Sequence, residues 1–295
     1  AFNAVIRDAA ARHGATVVDG LAALRARSAD GVVGRRMMLE HLHPTLDGYS
    51  VLADAFFDVI VADGRVSDAP PQPTPAGRYV RLVTPMDSLA GLTRVAQLTQ
   101  SWPFRPEEAQ PLRIDTARTP PYVLGLAQRV IRGGGWLQAA DSLATLLERD
   151  GRVRDALVTR RAVVQAYPFL AEPLAHLAAL ELERVRQSGR AERMPYVAGL
   201  YQRALDIDPA HVPSLAMLGA LALQAGDRAA AIGFLERARA LAPDTPQVLY
   251  NLSGAYMQEG RLDEAIALAE RLVRLDAGNA SYRALLDGLR QSAAS

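Results

Sequence analysis

The stretch Ser214–Asp244, SLAMLGALALQAGDRAAAIGFLERARALAPD, holds two apolar stripes parted by Gly226-Asp227. Leu215, Leu218 and Gly219 mark the first stripe, Ala231, Leu235 and Ala238 the second, and Pro243 follows. Apolar residues at steps of three and four define a helix face. Glycine supplies the turn between two such helices and proline stops the second. Thirty-four residues on, the same offsets carry Leu249, Leu252, Ser253, Gly260, Ala265, Ala269, Leu272 and Ala277. Upstream, Tyr201, Ala204 and Pro209 hold the phase, and an earlier copy gives Leu143, Ala144, Gly151, Ala156 and Pro168. A fixed period of this length marks an array in which each hairpin buries its apolar face on the next.

Four units fit the period, over about 137–170, 171–211, 212–245 and 246–279. The second carries about seven extra residues, RQSGRAE, in its turn, and SYRALLDGLRQS serves as a terminal helix covering the last face. The small residues let two helices approach closely while Leu and Tyr fill the space between units. This pattern resembles the tetratricopeptide repeat family over roughly half the chain. The resemblance implies a curved helical solenoid whose groove, lined by each unit's first helix, takes a protein or peptide. The groove positions are Gln138, Asp141, Thr145 and Arg149, then Ala216 and Ala220, then Gln247, Tyr250 and Asn251. The chaperone-binding members grip a carboxylate with several Lys and Asn; here only Asn251 stands at a comparable place. His176 and His211 read as surface or inter-repeat residues.

Composition agrees with packed helices. Of 295 residues 49% are hydrophobic and 6% aromatic, and no apolar run approaches the twenty needed for a membrane span. The net charge of +1 gives no basic footprint for nucleic acid. All 33 cationic side chains are Arg, which fits a GC-rich bacterial genome. With no Cys and no metal-type spacing among the 5 His, thiol chemistry is excluded and no cofactor or metal is expected. The compartment, cytoplasm or cell envelope, is not legible.

The first 63 residues read differently. FNAVIRDAAARHG places Phe2, Val5, Ile6, Ala9 and Ala10 on one helical stripe that Gly14 ends. ATVVDG, residues 15–20, reads as a short buried strand. A loop with Gly31 and Gly34 leads to EHLHPTLDGYSVLA, Glu40–Ala53, where Thr45 starts a helix with Leu46, Tyr49, Leu52, Ala53, Phe56 and Ile60 on its apolar face. Helix, strand, loop and helix make half of an α/β layer, which cannot close a core alone. After it, SDAPPQPTPAG opens a connector over 64–136. Within it RYVRLV could be a strand, SLAGLTRVAQLTQ reads as an amphipathic helix, and prolines 106, 111, 120 and 121 predict irregular chain.

A histidine on a loop before a helix, with a carboxylate three residues earlier, suits a base oriented by an acid. The block Glu40-x-x-His43-Pro-Thr resembles the closing segment of SGNH (GDSL-type) hydrolases, which reads Asp-x-x-His-Pro. That resemblance covers about sixty residues and implies His43 as general base and Glu40, in place of Asp, as its orienting acid. Such a segment is the C-terminal end of its domain, so the nucleophile and oxyanion donors that serve an ester substrate would precede it. The chain opens Ala-Phe-Asn, without Met, as a fragment of a longer protein would. One alternative lies downstream: Asp87-Ser88-Leu89 after a candidate strand imitates the family's nucleophile block, making Ser88 the nucleophile of a permuted enzyme. Another is a pure repeat scaffold with a degenerate remnant in front. The reading is thus a mostly α chain: a partial α/β, flavodoxin-like layer over 1–63, the connector, and the repeat array over 137–295.

Overall fold

Hydrophobic stripes at helical spacing fold here as helices packed pair on pair. The computed structural model describes residues 2–38, 43–63, 82–98, 116–117 and 119–294. The chain divides into two compact units, residues 1–81 and 82–295.

In the first unit α1 spans Phe2–His13, α2 Gly20–Ala26 and α3 Leu46–Ala62, with α2 packed on α3. Asp19 starts α2 by accepting the Ala22 N–H at 2.9 Å, and its other oxygen takes the Arg7 guanidinium at 3.0 Å. Residues 15–19 are irregular and join no ladder, so the predicted strand does not form. Val17 and Val18 favour extended backbone, but a strand exists only where a neighbour accepts its hydrogen bonds. Among the described residues the one β-type pairing is an isolated antiparallel bridge, Met38 to Pro44. The α/β layer is therefore absent from the described residues, and the observed class is all-helical. Among the described residues of this unit Leu24 and Met37 are the buried large apolar side chains, while Val5, Ile6, Tyr49, Phe56 and Ile60 are exposed.

In the second unit α4 spans Pro85–Leu98 and α5 Pro121–Ile131. Four hairpins follow: α6 (Trp136–Arg149) with α7 (Val153–Ala166), α8 (Ala171–Ser188) with α9 (Met194–Ile207), α10 (Val212–Ala225) with α11 (Arg228–Leu241), and α12 (Pro246–Gln258) with α13 (Leu262–Leu275). The terminal helix α14 spans Ala280–Ala294. From α5 onward each helix packs on its successor, and one continuous core runs from Met86 to Leu289. The helix α5 occupies chain that Pro120 and Pro121 were expected to keep irregular. Proline at a first helical position gives up no intrahelical hydrogen bond, and Pro121 sits there. The candidate strand at 78–83 and the prolines at 106 and 111 lie wholly or mostly outside the described residues.

Close approach explains the small residues. A Cβ on Gly219 would stand 2.5 Å from Leu235 Cγ, so α10 and α11 meet only because that position has no side chain. Thirty-four residues on, Ser253 is wholly buried and its hydroxyl donates to the Ala265 carbonyl at 2.9 Å. Gly226 and Gly260 turn the chain at φ 80° and 78°, where a Cβ is strained. Leu215, Leu235, Leu249, Leu252 and Leu272 are fully buried, each contributing roughly 1.5–3 kcal/mol over an exposed side chain. Among the described residues no helix is long and apolar enough to cross a membrane.

Candidate functional site

The first helices of the four hairpins, α6, α8, α10 and α12, carry the predicted groove positions. On α12, Gln247 Nε2 donates to Asn251 Oδ1 at 3.0 Å, and Tyr250, 40% exposed, tilts against Tyr282 of α14 with ring centroids 6.3 Å apart. These three form one amide-and-phenol patch. On α10, Ala216 is buried and Ala220 half-buried, so the middle of the row is small and apolar.

On α6, Asp141 and Thr145 meet through a residue that periodicity did not single out. Arg160 of α7 is 6% exposed and sits where its helix faces the core. Its guanidinium binds Asp141 Oδ1, Glu148 Oε1 at 2.9 Å and Thr145 Oγ1 at 3.2 Å. Gln138 and Arg149, both exposed, stand outside this cluster. Asp141 Oδ1 also lies 3.1 Å from His176 Nδ1 on α8, whose Nε2 is 3.0 Å from Glu172 Oε1. The other Glu172 oxygen meets His211 Nε2 at 2.7 Å. His211 starts α10: its Nδ1 accepts the Ser214 N–H at 3.4 Å and faces the Ser214 hydroxyl at 2.9 Å. That acceptor role puts the ring proton on Nε2, where it is donated to Glu172.

Glu148, Arg160, Asp141, His176, Glu172, His211 and Ser214 therefore form one connected polar row across two repeat boundaries. A buried guanidinium must be paired, and here two carboxylates serve it. The row holds Asp141 and Thr145 and links α6, α7, α8 and the start of α10. Only an arginine inside the apolar stripe of α7 hinted at it in the sequence.

The amino-terminal motif is held from below. Thr45 caps α3, accepting the Gly48 N–H at 3.1 Å, and its hydroxyl donates to the Arg36 carbonyl at 2.6 Å. A Cβ on Gly48 would stand 2.0 Å from the Met37 carbonyl oxygen, which explains the glycine of this motif. His43 is exposed at the entrance to that turn. Its proposed partner Glu40, with His41, lies outside the described residues. Ser88 is exposed in the first turn of α4, and its neighbours are employed in starting that helix. Asp87 accepts the Thr84 hydroxyl at 2.8 Å, the Thr84 N–H at 3.1 Å and the Trp136 indole N–H at 2.7 Å, while Thr84 accepts the Asp87 N–H. Asp87 is thus half of a capping box with Thr84, tied to the first repeat through Trp136. Among the described residues no group of three His, Asp or Glu is placed to hold a metal ion.

Residues 222–289 match the family model described as tetratricopeptide repeat. No curated protein matches the chain. Similar solved structures include a thermophilic TPR protein of Thermus thermophilus, 20% identical, covering 68% of this chain and 98% of that one at TM-score 0.46. MamA from Desulfovibrio magneticus RS-1 is 21% identical, covering 54% and 86% at TM-score 0.45. The first TPR of Spaghetti, bound to an HSP90 peptide, is 19% identical, covering 41% and 94% at TM-score 0.37. The family match over residues 222–289, together with the thirty-four-residue register of the helix pairs there, shows tetratricopeptide repeats in that part of the chain.

Proposed function

We propose that the array over 137–295, joined by a connector over 64–136 to the segment 1–63, is a docking scaffold for a peptide or helix of a partner protein. The ligand would lie along α6, α8, α10 and α12, touching Gln138, Asp141, Thr145 and Arg149 at one end and Gln247, Tyr250 and Asn251 at the other. The observation that carries this reading is the α12 patch: an exposed phenol beside two amides, on a helix whose other face is fully buried. Side-chain amides satisfy backbone N–H and C=O groups of a bound segment, and Tyr offers contact area at little entropic cost. A peptide-display selection on the whole chain tests it, with the best binder measured by fluorescence polarisation. Tyr250→Ala should weaken it by about tenfold or more, and Asn251→Ala by less. Binders indifferent to both substitutions would place the docking surface elsewhere.

For residues 1–63 the finer reading is the closing segment of an SGNH-type ester hydrolase, with His43 as base and Glu40 as acid. The exposed His43, held at the mouth of a Thr45-capped helix, and the exposed apolar stripe of α3, which a larger α/β layer would cover, support it. On this reading the nucleophile is not Ser88, since Asp87 is engaged in capping. Labelling the chain with a fluorophosphonate and mapping adducts by mass spectrometry should leave Ser88 unmodified. An adduct there, lost in His43→Ala, would establish the permuted esterase instead.

A further inference from the structure

We infer that the cleft beside the insertion in the second repeat binds a phosphoryl group. Glu181 of α8 is 1% exposed and receives three guanidiniums: Arg161 at 2.7 Å, Arg184 at 2.9 Å and Arg193 at 3.7 Å. One arginine neutralises one buried carboxylate; two more leave an excess of positive charge. Arg190 adds a further cation and has no carboxylate partner among the described residues. The nearby Glu183 and Glu192 pair with none of these four arginines; Glu183 is occupied by Gln187 at 2.8 Å.

The excess surrounds an open cleft of about 420 Å³ lined by Glu181, Arg184, Ser188, Arg190 and Arg193. Arg190 belongs to the seven-residue insertion and Arg193 follows it directly, so the segment that breaks the thirty-four-residue register also builds the charge. Arg161, Arg184 and Arg193 are each about one-third exposed, leaving guanidinium N–H groups that Glu181 does not use. The planar forks of Arg184, Arg190 and Arg193, which line this one space, match a tetrahedral oxyanion, and an excess above a single charge favours a phosphate dianion over one carboxylate. The group could be carried by a phosphorylated side chain of a docked protein or by a free phosphate. This site stands apart from the docking patch on α12, and its fate does not depend on that reading.

Isothermal titration of the whole chain with inorganic phosphate, and separately with a short phosphoserine peptide and its unphosphorylated twin, tests the inference. Saturable binding should appear for phosphate or for the phosphopeptide and be absent for the twin. A peptide preference would assign the group to a protein partner; equal affinity per phosphate would assign it to the free ion. The double variant Arg190→Gln/Arg193→Gln, which leaves Arg161 and Arg184 on Glu181, should lower affinity about tenfold or more with an unchanged thermal midpoint. Glu181→Gln, which removes the internal competitor, should raise affinity. Absence of saturable binding in the folded chain, or affinity unmoved by the double variant, would overturn the inference.

Discussion

The two units of this protein use similar residues to opposite effect. In the array Leu215, Leu235, Leu249 and Leu272 are fully buried, while in the amino-terminal unit Val5, Ile6, Tyr49, Phe56 and Ile60 lie open on well-formed helices. Amphipathic periodicity forms both sets of helices. What differs is the partner: each repeat packs its apolar face on the next, whereas α1 and α3 present apolar surface that the described residues of their unit do not cover. Periodicity reports that a face exists, and only a neighbour of matching shape turns it into stability.

The sharpest way to break this contrast is to truncate one residue of each kind. Leu235→Ala should lower the stability of the array by about 3 kcal/mol, whereas Phe56→Ala should change stability by no more than about 0.5 kcal/mol. Both tryptophans lie in 82–295, so urea unfolding followed by Trp fluorescence reads the second unit. An equal loss at Phe56, followed by circular dichroism, would mean that α3 is covered. Hydrogen exchange should likewise be fast across residues 2–38 and slow in α10 to α13.

Next in size is Arg160. Arg160→Met leaves Asp141 and Glu148 facing each other without their cation, at about 2 kcal/mol. The loss should shrink in high salt, unlike that of Leu235→Ala, and this difference separates polar from apolar stacking.

Glycines give a pair of opposite sign. Gly226→Ala forces a side chain into the left-handed region and should cost about 1 kcal/mol. Gly233 lies mid-helix in α11 with nothing near a built Cβ, so Gly233→Ala should raise stability by about 0.5–1 kcal/mol. Differential scanning calorimetry resolves both.

The last effect concerns buried phenols. Burial pushes Tyr201 up to about 12, and burial together with the hydrogen bond to Glu236 does the same for Tyr256. A raised folded value stabilises the neutral form, so this contribution is complete below pH 10 and is lost as pH climbs from 10 toward about 12. Tyr256→Phe removes the 2.6 Å bond to Glu236 and should cost about 1 kcal/mol near neutrality. With Tyr201→Phe added, the alkaline loss in a pH series of urea midpoints should flatten.

The array is legible because its evidence repeats: Gly226 and Gly260, or Leu215 and Leu249, are separate witnesses to one geometry. The amino-terminal strand misleads because Val17 and Val18 state a local preference, whereas a strand is a relation between two segments. The helix at Pro121 escapes a reading that weighs proline as a breaker rather than as a first helical residue. Asp141, Thr145 and Tyr250 stand out by their register. Glu172 and His176 stand four apart on α8, but the links that carry the row from helix to helix span 12 to 39 residues, and no spacing rule reveals those.

That polar row has a mechanical meaning. A solenoid held only by apolar contacts between neighbours can be peeled one hairpin at a time, each release being local. Here the row stitches α6, α7, α8 and the start of α10, so pulling on the chain loads the first two hairpins together. The array is then a stiff segment followed by separable hairpins, and tension reaching the first helices of the hairpins would be shared unevenly along its length.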